Sequence, residues 1–477
     1  DKENDDLILA VVKNDCPTCQ LLIPTLENLG ETGKLTVVLQ DEMNFPYEAD
    51  WVLDDRELEI SWNLNLDSVP TLLRFKRGEE VERTVGWSRE EWRKIIGDST
   101  LGDDLPEFKP GRGSLTVDPG RIDQLKSKFE NSEFISREVE LAAQEDTYEA
   151  MFERSWTDGL PVVPPTTERV RKMLGGTSRS ADEIVVSVPP NLIECSVEKI
   201  AINAVMAGCK PEFLPVVISA LETICTEEFN MHGVLATTMS VGPVFVVNGP
   251  IARDIGMNSG INVLGHGNRA NSTIGRAVQL VINNVGGGGP GGVDRSTLGH
   301  MGKQGFCFSE NELSSPWPSL AENRGYSSSQ NVITAFTGEG PRLVMDQKSR
   351  TPESLIRTLA EHLISTVSSR VVVGMDAMLV LSPEHSARFH EAGWSKDRFL
   401  EEITGMMMID TDNIIAGSGG IEEGLPAELK GMSLPKFRPG GLLLAQAGGP
   451  AGLFSAIIGG WLNGPSGSEP TSKEILL

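Results

Sequence analysis

The hydrophobic pattern of this chain changes period several times, and each change marks an element. Residues 7–12 (LILAVV) form a short apolar run, which predicts a buried strand. Residues 20–29 (QLLIPTLENL) space their apolar positions as a helix does, and residues 34–41 (KLTVVLQD) predict a second strand. Residues 68–87 (SVPTLLRFKRGEEVERTVGW) read as two strands joined by a turn at Arg77-Gly78. Residues 88–98 (SREEWRKIIGD) predict a closing helix, with Ser88 as N-cap and Glu91 three residues later to complete a capping box. Together these predict a compact β/α domain over residues 1–98.

Past residue 98 the texture changes. Gly, Pro and Asp crowd residues 99–121, which predicts a linker. Residues 122–156 read as a charged helical stretch, and residues 157–174 as a loop entering a helix after Pro-Pro. Helices are expected over 196–208, 211–229 and 351–366, a helix running into a glycine-rich loop over 268–292, a strand over 242–250, and strand, strand, helix over 370–394. No repeat of fixed period is visible. The alternation predicts an α/β chain: a first domain over 1–98, a linker over 99–121, and a large layered α/β domain over 122–477. The longest uncharged run, Gly440–Leu462, has membrane length, but seven glycines and a proline interrupt it. It predicts a buried strand-turn-helix segment rather than a span.

Composition narrows the function classes. A formal net charge of −25 argues against nucleic acid or an anionic membrane as the main partner. Six cysteines in 477 residues are too few for a disulfide scaffold. The opening DKENDDLILAVV lacks the basic and apolar regions of a signal peptide, so a cytoplasmic location is expected.

Two of those cysteines, Cys16 and Cys19, lie between the first strand and the first helix with two residues between them. A zinc knuckle would need a second ligand pair at similar spacing, and none exists. A purely structural bridge would close too short a loop to stabilise much. A cysteine at a helix N-terminus meets the positive end of the helix dipole, which lowers its pKa. The pair therefore reads as a redox couple, with Cys16 attacking and Cys19 resolving the mixed disulfide. The order strand-CPTC-helix, followed about 50 residues later by SVPTLLRFKRGEEVERTVGW, resembles the thioredoxin family over roughly residues 1–98. In that family a cis proline faces the CxxC, and Pro70 matches it. The resemblance implies the thioredoxin fold and dithiol–disulfide exchange. Asp15 stands where the family usually has an aromatic residue, and Pro17-Thr18 replaces Gly-Pro, which bears on the redox potential rather than the fold.

The large domain offers less explicit chemistry. Gly208 fits a helix C-cap and Pro211 the first turn of the next helix, so Cys209 is expected just before a helix N-terminus beside Lys210. Both neighbours favour a thiolate, against the plainer role of a small buried thiol. Phe306 and Phe308 should share one strand face and leave Cys307 on the other, near Lys303 or His300. Cys195 and Cys225 read as packing residues. The glycine-rich stretch 284–300 carries Asp294, Arg295 and His300 at its exit and suits either an anion cradle or a plain surface turn. It matches neither a P-loop nor a dinucleotide fingerprint. Arg269 and Arg276, two turns apart on one helix and with Asn271 between them, are candidate carboxylate or phosphate ligands; the alternative is a pair of solvated arginines. The six histidines form no metal-binding pattern, and no cofactor is implied. Segments such as WTDGLPVVPPT, NAVMAGCKPEFLPVV and FCFSENELSSPW look similar to a bacterial family associated with small UGSC-type (seleno)proteins, over roughly residues 145–477. That resemblance implies thiol or selenol redox chemistry.

The leading expectation is a thiol-dependent oxidoreductase. Cys16, Cys19 and Pro70 would form the couple, and Cys209 or Cys307 would receive electrons in the large domain. Arg269, Asn271, Arg276, Arg295 and His300 would hold a small anionic substrate. A thiol reductase or a small redox protein is the expected protein partner, and a homo-oligomer is compatible. The other readings are a non-redox lyase or transferase, and a binding module whose first domain serves protein interaction.

Overall fold

The computed structural model describes residues 6–42, 49–119, 121–129, 134–139, 141, 145–415, 423 and 427–477. It divides into two units, Asp1–Glu140 and Leu141–Leu477. Both combine helices with sheets, so the chain is α/β.

In the first unit the apolar run becomes β1 (Asp6–Val12). It is followed by α1 (Pro17–Glu31), β2 (Thr36–Leu39), β3 (Val52–Asp54), the short α2 (Glu59–Asn63), β4 (Ser68–Val69), β5 (Thr71–Lys76), β6 (Glu79–Val85), β7 (Trp87–Ser88) and α3 (Arg89–Ile96). The sheet order is β3-β2-β1-β5-β6. β1, β2 and β3 run parallel, while β5 and β6 run antiparallel. Arg77 and Gly78 both take positive φ, as a two-residue hairpin requires. The Val69-Pro70 bond is cis. Ser88 caps α3 by accepting the Glu91 N–H, but the Glu91 carboxylate accepts from the Thr84 hydroxyl instead of closing the expected box.

The expected linker over 99–121 is a correction: its described residues belong to the first unit. Two more strands, β8 (Phe108–Lys109) and β9 (Arg112–Gly113), pair with β7 and β4. The cause is Trp87, which is fully buried and whose indole N–H donates to Pro106 O at 2.7 Å. A Cβ on Gly102 would lie 2.5 Å from that ring, so only glycine lets the segment pack there. The charged stretch 122–156 is also not one helix. It gives α4 (Ile122–Phe129) and α5 (Thr147–Glu153), with residues 134–139 non-helical; 130–133, 140 and 142–144 lie outside the described residues.

The second unit continues with α6 (Thr167–Leu174), the hairpin β10 (Ile184–Val188) and β11 (Ile193–Ser196), α7 (Val197–Ala207), α8 (Leu214–Ile224) and α9 (Met231–Ala236). Next come β12 (Gly242–Asn248), α10 (Pro250–Asp254), α11 (Arg269–Asn284), β13 (Phe306–Ser309), α12 (Leu320–Asn323), β14 (Val332–Gly338) and β15 (Arg342–Met345). Last are α13 (Pro352–Ile364), β16 (Met375–Leu381), α14 (Pro383–Glu391), α15 (Lys396–Met406), β17 (Met408–Asp410), α16 (Asp412–Ile415), β18 (Ser433–Pro435), β19 (Leu442–Gln446), β20 (Phe454–Leu462) and β21 (Thr471–Glu474). The main sheet runs β13-β12-β14-β20-β16-β19, with β15 added to β20 and β21 to β14.

This order contains a topological repeat that no fixed sequence period reveals. In one half β12 crosses over through α10 and α11 to parallel β13, and β14 returns antiparallel beside β12. In the other, β16 crosses over through α14 and α15 to parallel β19, and β20 returns antiparallel beside β16. The halves meet where Gly338 of β14 faces Gly460 of β20. Each then lends its next strand to the other: β15 pairs with β20, and β21 with β14. The edge strands β13 and β19 also converge at their C-terminal ends, where Asn311 N–H donates to Gln446 O at 2.7 Å. Residues from six strands, among them Val246, Phe308, Phe336, Ile458, Met378 and Leu443, accordingly share one core.

Residues 370–374 form no strand, so only the second of the two expected there exists. The run Gly440–Leu462 gives strand-turn-strand, not strand-turn-helix. Gly459 and Gly460 decide this, because a strand there can approach neighbouring backbone closely. A Cβ on Gly460 would lie 2.5 Å from the Asp376 carbonyl oxygen and 2.8 Å from the Phe336 ring. Gly460→Ala should therefore cost about 1–3 kcal/mol by overpacking. Urea unfolding of the variant beside the parent chain checks it, and an unchanged midpoint would contradict the packing.

Candidate functional site

Cys16 is the N-cap of α1, and Pro17 occupies its first turn. Proline suits that position because its missing N–H would have no helical partner. The Cys16 sulfur accepts the Cys19 backbone N–H at 3.1 Å. On its other side the thiol donates to Val69 O at 3.5 Å, immediately before cis Pro70. Sequence-distant α1 and β4 thus converge on one sulfur.

The two thiols are driven apart electrostatically. The Cys19 thiol donating to Cys16 is the largest cause that lowers the Cys16 pKa. Burial opposes it, and the N–H groups of Cys19 and Thr18 and the Lys13 ammonium add to it, giving a value of about 7 against an ordinary 9.0. Cys19 moves the other way, raised first by burial and then by its hydrogen bond to Cys16 and the Cys16 charge. One thiolate beside one protonated thiol is the arrangement an attacking and a resolving cysteine need.

Cys16 and Cys19 are both 0% exposed, although Asn14, Asp15 and Pro17 around them are exposed. Sequence reasoning missed what lies beside them. Thr18 Oγ1 donates to Pro110 O at 2.7 Å, and Val69 pairs with Arg112 across the β4–β9 ladder. The available signal was PGRG at 110–113, read instead as linker composition.

In the second unit the expected thiolates are absent. Cys209 is buried; its thiol donates to Thr273 O at 3.3 Å, and burial pushes its pKa up to about 12. The helix-terminus argument fails because a single 3-10 turn (Pro211–Phe213) precedes α8, and the Lys210 ammonium lies 3.6 Å from Glu212. Cys307 does face away from the Phe306 and Phe308 core, but it too is buried and its pKa is raised by burial and by Cys209. The Lys303 ammonium expected near it is held by Asp294 at 3.0 Å. Cys195 is fully buried on β11, and burial raises the Cys225 thiol to about 12.

Four of the five expected anion ligands are engaged by the fold. Arg269 donates to Gly208 O at 2.8 Å and so completes the C-terminus of α7. Arg276 makes two 2.8 Å bonds to the Asp158 carboxylate and a third to Pro161 O. Asn271 is buried and binds both backbone groups of Asn258. Arg295 is exposed. His300 caps a short turn by accepting Gly302 N–H, and burial followed by the Lys303 charge lowers its pKa. The glycine-rich stretch begins as packing: a Cβ on Gly286 would lie 2.2 Å from Pro189 O.

Two polar features of this unit had no sequence signal. Glu310, buried beyond β13, accepts from Asn248 Nδ2, Leu320 N–H and Gln446 N–H, and burial raises its pKa. A cavity of about 390 Å³ is lined by Glu222, Thr226, Arg324, Glu469 and Lys473 among others. Its charges are largely spent internally, since Glu222 pairs with Arg179 and Lys473, and Glu469 with Arg438. Among the described residues no three His, Cys, Asp or Glu side chains form a metal-binding group, and no helix is long and apolar enough to cross a membrane.

The sign of the Cys16 shift gives a test. In the reduced chain, thiolate absorbance in the ultraviolet should rise through about pH 7, and Cys16→Ser should remove that step. Cys19→Ala, which deletes the largest cause, should move the midpoint up toward 9.0. A lowered folded-state pKa contributes stability above the unfolded value that is lost as pH falls through the folded one. The reduced chain should therefore gain stability over Cys16→Ser as pH rises from about 7 to 9.

No family model and no curated protein matches this chain, so the second resemblance, over residues 145–477, has no counterpart there. Among solved structures it is similar to the solution structure of the oxidised thioredoxin from Plasmodium falciparum. Identity is 21%, over 20% of this chain and 81% of that one, with a TM-score of 0.15.

Proposed function

We propose that the first unit is a dithiol–disulfide exchange module with Cys16 as nucleophile and Cys19 as resolving thiol. The observation that carries this reading is geometric: the Cys16 sulfur caps α1, accepts the Cys19 N–H at 3.1 Å and lies against Val69 O immediately before cis Pro70. The Cys16 thiolate attacks one sulfur of a substrate disulfide, forming a mixed disulfide and releasing the other sulfur as a thiolate. Covalent capture removes the Cys16 charge, one of the causes that keep Cys19 protonated. Cys19 then gives its proton to the departing thiolate and attacks the Cys16 sulfur. The Cys16–Cys19 disulfide closes, the second substrate sulfur leaves and takes a proton from water, and the substrate gains two electrons and two protons. An external dithiol, the role of a thiol reductase or small redox protein, restores the couple.

The expected relay into the second unit receives no such support. Cys209 and Cys307 are buried thiols with raised pKa values, and Arg269 and Arg276 are engaged by the fold. The substrate we infer is therefore a disulfide on another protein rather than a small anion held by those arginines.

Insulin reduction driven by a small dithiol tests the reading. Cys16→Ser should abolish it, and Cys19→Ser should accumulate the mixed disulfide, visible by intact mass. Cys209→Ala should leave the rate unchanged. A chain whose Cys16 and Cys19 show no reversible two-electron exchange with glutathione would sink the proposal, and a slow Cys209→Ala variant would revive the relay.

A further inference from the structure

The reactive sulfur is buried, and one exposed segment is tied to the chain on both sides of it. Cys16 is 0% exposed, yet Pro110, Arg112 and Gly113, beside it in the fold, are all exposed. Both flanks of Cys16 are tied to that one segment. Thr18, two residues on, donates to Pro110 O at 2.7 Å. Val69, whose carbonyl receives the Cys16 thiol, pairs with Arg112, and Ser68 pairs with Gly113. The approach is close enough to demand glycine. A Cβ on Gly111 would lie 2.9 Å from Val69 O, and one on Gly86 would lie 2.7 Å from Lys109 O.

Both ends of the segment are anchored. Upstream, Lys109 and Phe108 pair with Trp87 and Ser88, and Arg89 N–H donates to Glu107 O at 2.9 Å. Downstream, Ser114 is buried; its N–H donates to Asp67 O, and Gln40 donates to its hydroxyl at 2.7 Å. Between these anchors the segment meets the site through Pro110 O, Gly111 and the two ladder pairs of Arg112 and Gly113.

We propose that residues 110–113 form a strap occupying the edge of β4, where the extended backbone of a disulfide-bearing protein docks, so that the strap must yield before Cys16 can react. A substrate sulfur that reaches the Cys16 sulfur must come in beside Val69 O, and the chain flanking that sulfur then runs along β4. The strap shows that this edge takes an antiparallel strand; strand addition supplies affinity through backbone hydrogen bonds, whatever the sequence. The strap is thus a competitor in cis. It lowers apparent affinity by the fraction of time it is closed. This inference rests on the exchange reading above.

The test uses the full chain in its reduced form and two strap variants. Thr18→Val removes the Pro110 hydrogen bond, and Gly111→Ala drives a methyl against Val69 O. Iodoacetamide modification of Cys16, followed by mass, should run about fivefold faster in Thr18→Val, the effect of one lost hydrogen bond on opening, and faster still in Gly111→Ala. KM for insulin should fall by the same factor. If Gly111→Ala does not fold, Thr18→Val reads the same opening. Equal modification rates in parent and Thr18→Val would overturn the strap while leaving a reversible Cys16–Cys19 couple intact. Faster modification in the variants without any reversible couple would do the reverse, keeping the strap and removing the exchange chemistry. Faster modification with an unchanged KM for insulin would overturn the docking edge.

Discussion

The first unit is organised around the contacts of one sulfur. Cys16 takes a hydrogen bond from the Cys19 N–H at the start of α1 and gives one to Val69 O. The first contact requires that β1 deliver the chain to a helix start, and the second that β4 pass within reach. The parallel pairing of β1 with β2 and its antiparallel pairing with β5 hold both in place. Displacing β4 would remove the Val69 contact, and displacing α1 would remove the Cys19 donors that favour the thiolate. The local chemistry therefore depends on the whole sheet.

The second unit is governed by a different constraint, close backbone approach at glycine. Gly338 and Gly460 face each other where its two halves join, and a Cβ on either would strike a core side chain. Elsewhere a buried carboxylate, Asp376, is matched in place. Arg438 binds Asp376 through both carboxylate oxygens and also reaches Glu469, tying the start of β16 to the segment before β21. Removing one member of such a group would strand a buried charge, which is costlier than the pair is stabilising.

How much the sequence revealed follows from the range of each interaction. The CPTC helix, the Arg77-Gly78 turn and the strand over 242–248 were legible because apolar period and turn chemistry are local. The strap was not, because its partners Trp87, Val69 and Thr18 are far away in sequence, and a PGRG stretch has the composition of a linker. The thiolate expected at Cys209 rested on helix position and a neighbouring lysine; burial, which sequence spacing does not report, reverses it. The arginines at 269 and 276 were read as free for ligands because Gly208 and Asp158 are distant in the chain. β20 was read as a helix because Gly459-Gly460 gives no strand signal until Asp376 is placed beside it.

The exchange of β15 and β21 between the halves has a consequence for cooperativity. Each half's returning strand is completed by a strand that the other half supplies, on β20 in one case and β14 in the other. Neither half can melt first without stripping an edge from its neighbour. Strand exchange makes the two halves one folding unit instead of two domains.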